Sequence, residues 1–194
     1  SAWTLETWGL LHFNGLSTST AAGDGTSTAK QAFMDFSLGF EKYFAQKASW
    51  LHNLSLAVLV HTTSQELTNL EGQATVKNSS FEYGIGANFH FLEDPFTYGR
   101  PIPYVGASFG LGTVTDSAIV GSTYSESLKG DCSFMTLAVG GKFYTRWGLG
   151  ARLVLDYYRR SEKYSIDGVN GAAGTEWAKV VSGPRLMAGI AYRW

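Results

Sequence analysis

Charge is scarce in this 194-residue chain: Asp, Glu, Lys and Arg together make up 16% of it, against roughly 25% in an ordinary soluble domain. A surface wetted on all sides would be hard to cover with so little. The formal net charge is −1, and the Lys and Arg residues are scattered. That excludes the basic field a nucleic-acid partner needs. The single cysteine, Cys132, cannot close an internal disulfide, and no paired Cys/His spacing suggests a metal site. Long apolar runs are missing too. The longest, around Leu54–Val60, falls far short of the ~18 residues a membrane helix needs. Helical periodicity is hard to find. The GxG fragments at Gly84–Gly86, Gly110–Gly112 and Gly148–Gly150 have no helix after them, so they do not read as dinucleotide sites. No cofactor is expected. No secretory leader opens the chain; if it is exported, Ser1-Ala2 would lie at or near the mature end.

Glycine (23 residues), aromatics (14%) and a two-residue alternation of apolar and polar positions are abundant. Met34, Phe36, Leu38 and Phe40 alternate with Asp35, Ser37, Gly39 and Glu41. Phe81 to Phe91, Val105 to Leu111, Met135 to Phe143, Leu149 to Tyr157 and Leu186 to Trp194 repeat the pattern. Two segments are less regular: Trp8 and Leu10 sit on the polar side of Leu5–Asn14, and Leu59 is out of phase in Asn53–His61. A bulge or a well-filled interior would explain them. Alternation of this kind predicts strands, eight in all, in one domain spanning residues 1–194. Short connections are expected at Ala45–Ser49 and Thr145–Trp147, with a medium one near Leu92–Ile102. Long Ser/Thr/Gly-rich loops are expected near Leu16–Ala29, Ser64–Ser79, Thr115–Gly130 and Ser161–Glu176. Short turns on one side and long loops on the other is the layout of a transmembrane barrel, the short turns being periplasmic.

Alternation does not say which face is inside. A soluble barrel turns its apolar residues in and a membrane barrel turns them out. The polar faces carry Gly84, Gly86, Gly106, Gly110, Gly112, Gly140, Gly150 and Gly189, which suit a cramped interior better than a wet surface. Several segments run to ten residues or more, and a tilted strand needs about 9–11 to cross a bilayer. Aromatics gather at the segment ends. Trp3, Tyr43, Phe44, Trp50, Tyr104, Tyr144, Trp147, Tyr192 and Trp194 are expected to form one interfacial girdle, and Phe81, Tyr83, Tyr157, Tyr164 and Trp177 the other. The reading is an all-β fold: an eight-stranded antiparallel transmembrane β-barrel, an up-and-down meander with apolar residues outward.

The last strand, Leu186-Met-Ala-Gly-Ile-Ala-Tyr-Arg-Trp194, resembles the C-terminal signature of bacterial outer-membrane proteins, with Trp194 where Phe is commoner. Pro103-Tyr-Val-Gly-Ala-Ser-Phe-Gly-Leu-Gly112 is similar to a strand of the OmpA-like or OmpX-like small barrels. The resemblance implies a bacterial outer-membrane location, outer-membrane lipid as surroundings and the barrel-assembly machinery as a partner. That machinery would read Leu186, Ala188, Ile190, Tyr192 and Trp194. It implies no catalytic residues.

If the polar face lines the lumen, it holds Glu6, Asp35, Glu41, Glu82, Lys142, Arg152, Asp156 and Arg185, with His12, His61, Asn53 and Asn88. Glu6, Glu41, Lys142 and Arg152 are expected in the periplasmic half, and Asp35, Glu82, Asp156 and Arg185 higher, with His61. Charges withdrawn from water must be paired, so a plugged polar lumen is expected, with a narrow ion pore as the alternative. His61 lies beside Thr62, Thr63, Ser64 and Glu66, but neighbours along a strand point to opposite faces and make a poor relay; no enzyme is expected. The outward set includes the short or polar residues Thr7, Gly9, His52, Ala87, Ala107, Gly141, Ala151 and Ala188. These would let a second barrel or an ordered lipid pack closely, so a homo-oligomer holding lipid between subunits is a further alternative. The long loops would be the binding surface.

Overall fold

The computed structural model describes residues 5–12, 17–19, 29–30, 32–44, 50–68, 74–92, 94–120, 123–166 and 175–194. Eight strands build the barrel: β1 Leu5–His12, β2 Ala32–Tyr43, β3 Leu54–Thr68, β4 Ala74–His90, β5 Ile102–Val120, β6 Thr123–Tyr144, β7 Leu149–Ile166 and β8 Thr175–Arg193. Each pairs antiparallel with the next. The sheet closes where β1 pairs with β8, with Gly9 opposite Ile190. Ser17–Ser19 also pairs with Val180 and Val181 of β8, and Ala29–Lys30 pairs with Ser17 and Thr18. The one helical turn among the described residues is the 3-10 turn Trp50–Asn53.

The alternation turns its apolar side outward. Phe40 is 53% exposed, Tyr83 55%, Phe109 62% and Ile190 70%, whereas Glu6, Glu41 and Glu82 are 0% exposed. Water would leave such a belt uncovered and such carboxylates buried for nothing; acyl chains against the belt remove the first cost, and ion pairs the second. Trp8 and Leu10 also turn inward, and Leu59 packs against the inner clusters. Their irregular phase therefore reflects a filled interior. The one register shift among the described residues lies elsewhere, between Ser117 and Ala118 of β5.

Three expectations are corrected. First, much of what reads as long loop is strand. Ser64–Thr68, Thr115–Val120, Thr123–Gly130 and Ser161–Ile166 continue their ladders, and Val120 and Thr123 pair as the ends of one hairpin. The barrel wall thus extends past the apolar belt on that side. Second, Tyr43, Tyr104, Tyr144 and Tyr164 do not belong to girdles. All four are buried inside, because each shares the parity of an inward neighbour two residues away. Phe44, Trp50, Trp147, Tyr192 and Trp194 remain toward the turn side, with Phe81, Tyr83 and Tyr157 toward the other end of the belt. Third, His52 does not face outward. It is buried in the 3-10 turn, its ring 5.4 Å from that of Phe96. Trp3, Phe13, Asn14, the turn Ala45–Ser49 and the side chains of Met34, Glu66 and Trp177 lie outside the described residues, as do most of Leu16–Ala29 and parts of the other long connections.

The Thr145–Leu149 turn shows how tightly the strands are joined. Thr145 N donates to Leu149 O at 2.8 Å, and Gly148 N donates to Thr145 O at 3.0 Å. Gly148 takes φ 86° there, a conformation open to glycine and strained for most side chains.

Candidate functional site

Inward-facing side chains fill the lumen as three polar clusters. At the turn side, Arg152 Nη1 donates to Glu6 Oε1 at 3.0 Å and to Glu41 Oε2 at 2.9 Å, joining β7 to β1 and β2 across the barrel. Lys142 Nζ donates to Glu41 Oε1 at 2.8 Å and to Tyr43 Oη at 2.7 Å, and stands 3.5 Å from Glu6. Arg193 contributes a third cation. Its Nε lies 3.3 Å from Glu6, its Nη2 donates to Tyr43 Oη, and its guanidinium stacks 3.8 Å from the Tyr144 ring. Ser55 and Asn88 complete the donors to Glu41.

The connection after β4 packs against this cluster. Arg193 Nη1 donates to Pro95 O at 2.7 Å, the Phe96 ring meets Tyr43 edge-on at 5.2 Å, and Gly99 N donates to Tyr144 O at 2.8 Å. Asn53 fastens β3 to the end of β4 by donating to the carbonyls of His90 and Leu92.

The middle cluster is built around Arg185. It makes a two-pronged contact with Asp156, Nε to Oδ1 at 2.9 Å and Nη2 to Oδ2 at 2.6 Å, and reaches Asp35 at 3.3 Å. His61 lies between two acids, 2.6 Å from Glu82 and 3.7 Å from Asp35. Tyr158 donates to Glu82 and lies under the Arg185 guanidinium at 4.1 Å. The eight charged residues expected in the lumen are therefore all buried, in two groups: Glu6, Glu41, Lys142 and Arg152 in one, Asp35, Glu82, Asp156 and Arg185 in the other. His61 and Thr63 point in while Thr62 and Ser64 point out, so no serine relay assembles there.

Between these clusters the lumen is partly apolar. Trp8, Leu10, Leu59, Phe134, Val154 and Met187 surround a cavity of about 70 Å³ that also touches Ser108 and Thr136. Glycine makes room for the long side chains. A Cβ on Gly84 would stand 2.8 Å from the Phe134 ring, and one on Gly140 would stand 2.6 Å from that of Tyr104.

A third cluster, toward the loop end, lies beyond what the sequence suggested. Arg160 pairs with Glu162 at 2.6 Å and donates to Thr63, Ser80 and Asn78. Lys179 lies 3.6 Å from Asp116, which also accepts from Asn78. Tyr164 donates to Glu162 at 2.7 Å. The available signal was parity: Arg160, Glu162 and Tyr164 continue the inward phase of Asp156 and Tyr158. No group of three or more His, Cys, Asp and Glu residues suited to a metal ion occurs among the described residues.

The chain is a closed eight-stranded antiparallel meander with an outward apolar belt and a polar inner face, an architecture similar to that of small outer-membrane β-barrels. No protein-family model matches the sequence, and no curated protein matches it. Solved structures do match. Neisserial surface protein A superposes with a TM-score of 0.58 at 16% identity, covering 100% of this chain and 98% of that one. OprG from Pseudomonas aeruginosa gives a TM-score of 0.55 at 13% identity, covering 98% of this chain and 95% of that one. Ail, the attachment invasion locus protein of Yersinia pestis, gives a TM-score of 0.52 at 12% identity, covering 97% and 99%. At these identities the likeness is one of fold, and the fold is that of bacterial outer-membrane barrels.

Proposed function

We propose that this chain is an integral outer-membrane barrel of structural or interaction type, without catalysis, whose lumen is plugged by ion pairs. The observation that carries the reading is the turn-side cluster. Arg152 and Lys142 both reach Glu41, and both lie close to Glu6, from the opposite wall, while the Pro95–Gly99 segment lies across the same end. Eight strands leave an interior only wide enough for side chains. The test is planar-bilayer recording. The reconstituted barrel is expected to give no discrete conductance steps; regular steps at moderate voltage would favour a narrow pore. Interaction belongs to the hairpins that continue beyond the belt, which present a rigid ladder to the outside. Leu186, Ile190, Tyr192 and Trp194 share the exposed face of β8, with Ala188 between them, an arrangement suited to recognition by the barrel-assembly machinery.

One observation favours a second reading, a homo-oligomer that holds lipid between subunits. An apolar concavity of about 1120 Å³ crosses the outer face from β8 to β4, with Thr7 and Gly9 at its floor between Phe36, Leu38 and Ile190. Subunit mass in mild detergent decides between this and a monomer.

A further inference from the structure

The outward face of β6 and β7 changes character abruptly above the apolar belt. Tyr157 and Met135 are the last large apolar residues there, 53% and 51% exposed. Two residues beyond Tyr157, on the same face, comes Arg159, directly opposite Met135. Lys163 follows on that face of β7, and Lys129 lies on the same face of β6, two residues beyond Asp131, which is the partner of Lys163 in the ladder. All three cations are exposed, and none forms an ion pair with a described residue. Asp131 is the one acid in the patch among the described side chains. Ser133 and Ser161, opposite each other, set hydroxyls between the cations. Arg159 and Lys163 are four residues apart, roughly 13 Å along a strand.

A guanidinium one step above the acyl-chain boundary sits at headgroup depth, and Arg geometry suits phosphate oxygens. The turn-side rim of the belt carries Trp50, Trp147 and Trp194 together with exposed Lys42, Arg100 and Arg146, the last stacked 4.8 Å from the Trp147 ring; the patch on β6 and β7 lies on the loop side, the outer-leaflet side of a barrel of this layout.

We infer that the outward patch Arg159, Lys163 and Lys129 binds an outer-leaflet lipid whose headgroup bears two phosphates, with the serine hydroxyls contacting the headgroup between them. The inference rests on the outer-membrane reading. Its test is therefore run on barrels first shown to be inserted and folded by their heat-modifiable gel mobility; failure at that step would count against the outer-membrane reading itself. The wild-type barrel and the triple variant Arg159→Ala, Lys163→Ala, Lys129→Ala are reconstituted in phosphatidylcholine discs. These are doped with bisphosphorylated lipid A, dephosphorylated lipid A or phosphatidylglycerol, and lipid retention is read by native mass spectrometry. The wild type is expected to hold bisphosphorylated lipid A at least about ten-fold more tightly than either other lipid, and the triple variant to lose about ten-fold or more of that affinity. Equal retention by the two proteins would overturn the site. Equal retention of dephosphorylated lipid A or phosphatidylglycerol by the wild type would overturn the assignment of two phosphates.

Discussion

The turn-side and middle clusters solve the same electrostatic problem with opposite charge balances. At the turn side two carboxylates, Glu6 and Glu41, meet three cations, Lys142, Arg152 and Arg193. Each carboxylate there has at least two cationic partners. In the middle there are three carboxylates and one guanidinium: Asp35 and Asp156 share Arg185, and His61 bridges Asp35 and Glu82. Redundancy at one level and dependence at the next follow directly. The turn-side cluster keeps every acid paired after losing one cation, whereas the middle cluster does not.

That difference ranks the expected losses. Arg185→Ala is expected to be the most damaging, because it leaves Asp156 without a cation and Asp35 with histidines alone. Breaking a buried pair from one side costs about 3–5 kcal/mol, and this case belongs at the upper end. Thermal unfolding in detergent, followed by the shift from the folded to the unfolded gel band, measures it. The double variant Arg185→Ala, Asp156→Ala should recover part of the loss, since it removes the stranded charge along with its partner. Arg152→Ala sharpens the comparison. Glu41 retains Lys142, and Glu6 retains Lys142 and Arg193, so the expected loss is about 3 kcal/mol or less. An Arg152→Ala barrel that melts below the Arg185→Ala barrel would reverse the ranking and show that cross-lumen geometry outweighs the count of partners.

The parts of this arrangement legible in the sequence are those where the two faces of a strand differ. Leu149–Tyr157 alternates Leu and Ala with Gly, Arg and Asp, so strand, face and inward Arg152 could all be read from one segment. The next stretch, Arg159-Arg-Ser-Glu-Lys-Tyr-Ser165, is polar on both faces. Above the apolar belt the outward side meets polar surroundings and the inward side is a polar cluster, so the contrast vanishes although the ladder continues. The third cluster was hidden for that reason, and the composition looked like loop. The inward tyrosines were obscured differently. An aromatic at a segment end has an apolar body suited to an interface, but Tyr43 shares the parity of Glu41, Tyr104 that of Gly106 and Tyr144 that of Lys142. In a closed barrel that parity decides the matter, because a side chain cannot turn to the other face without a change of register. The hydroxyls of Tyr43 and Tyr104 then serve the cations: the first accepts from Lys142 and Arg193, the second from Arg152.

The turn-side cluster leans on packing as well as on charge, and a pair of adjacent glycines separates the two contributions. Gly140 faces inward, where a Cβ would stand 2.6 Å from the Tyr104 ring. That ring also holds its hydroxyl 3.2 Å from Arg152 Nη2. Gly141, one residue on, faces the other way, and a Cβ there meets nothing within 4 Å. Gly140→Ala is therefore expected to cost about 1–2 kcal/mol, through displacement of Tyr104 and the guanidinium it contacts. Gly141→Ala should stay within about 0.5 kcal/mol of wild type. Both substitutions change backbone freedom in the unfolded chain alike, so the difference between the two melting points isolates the lumenal contact. If the two barrels melt together, Tyr104 has room to move, and the redundancy of the turn-side cluster comes from loose packing rather than from its extra cation.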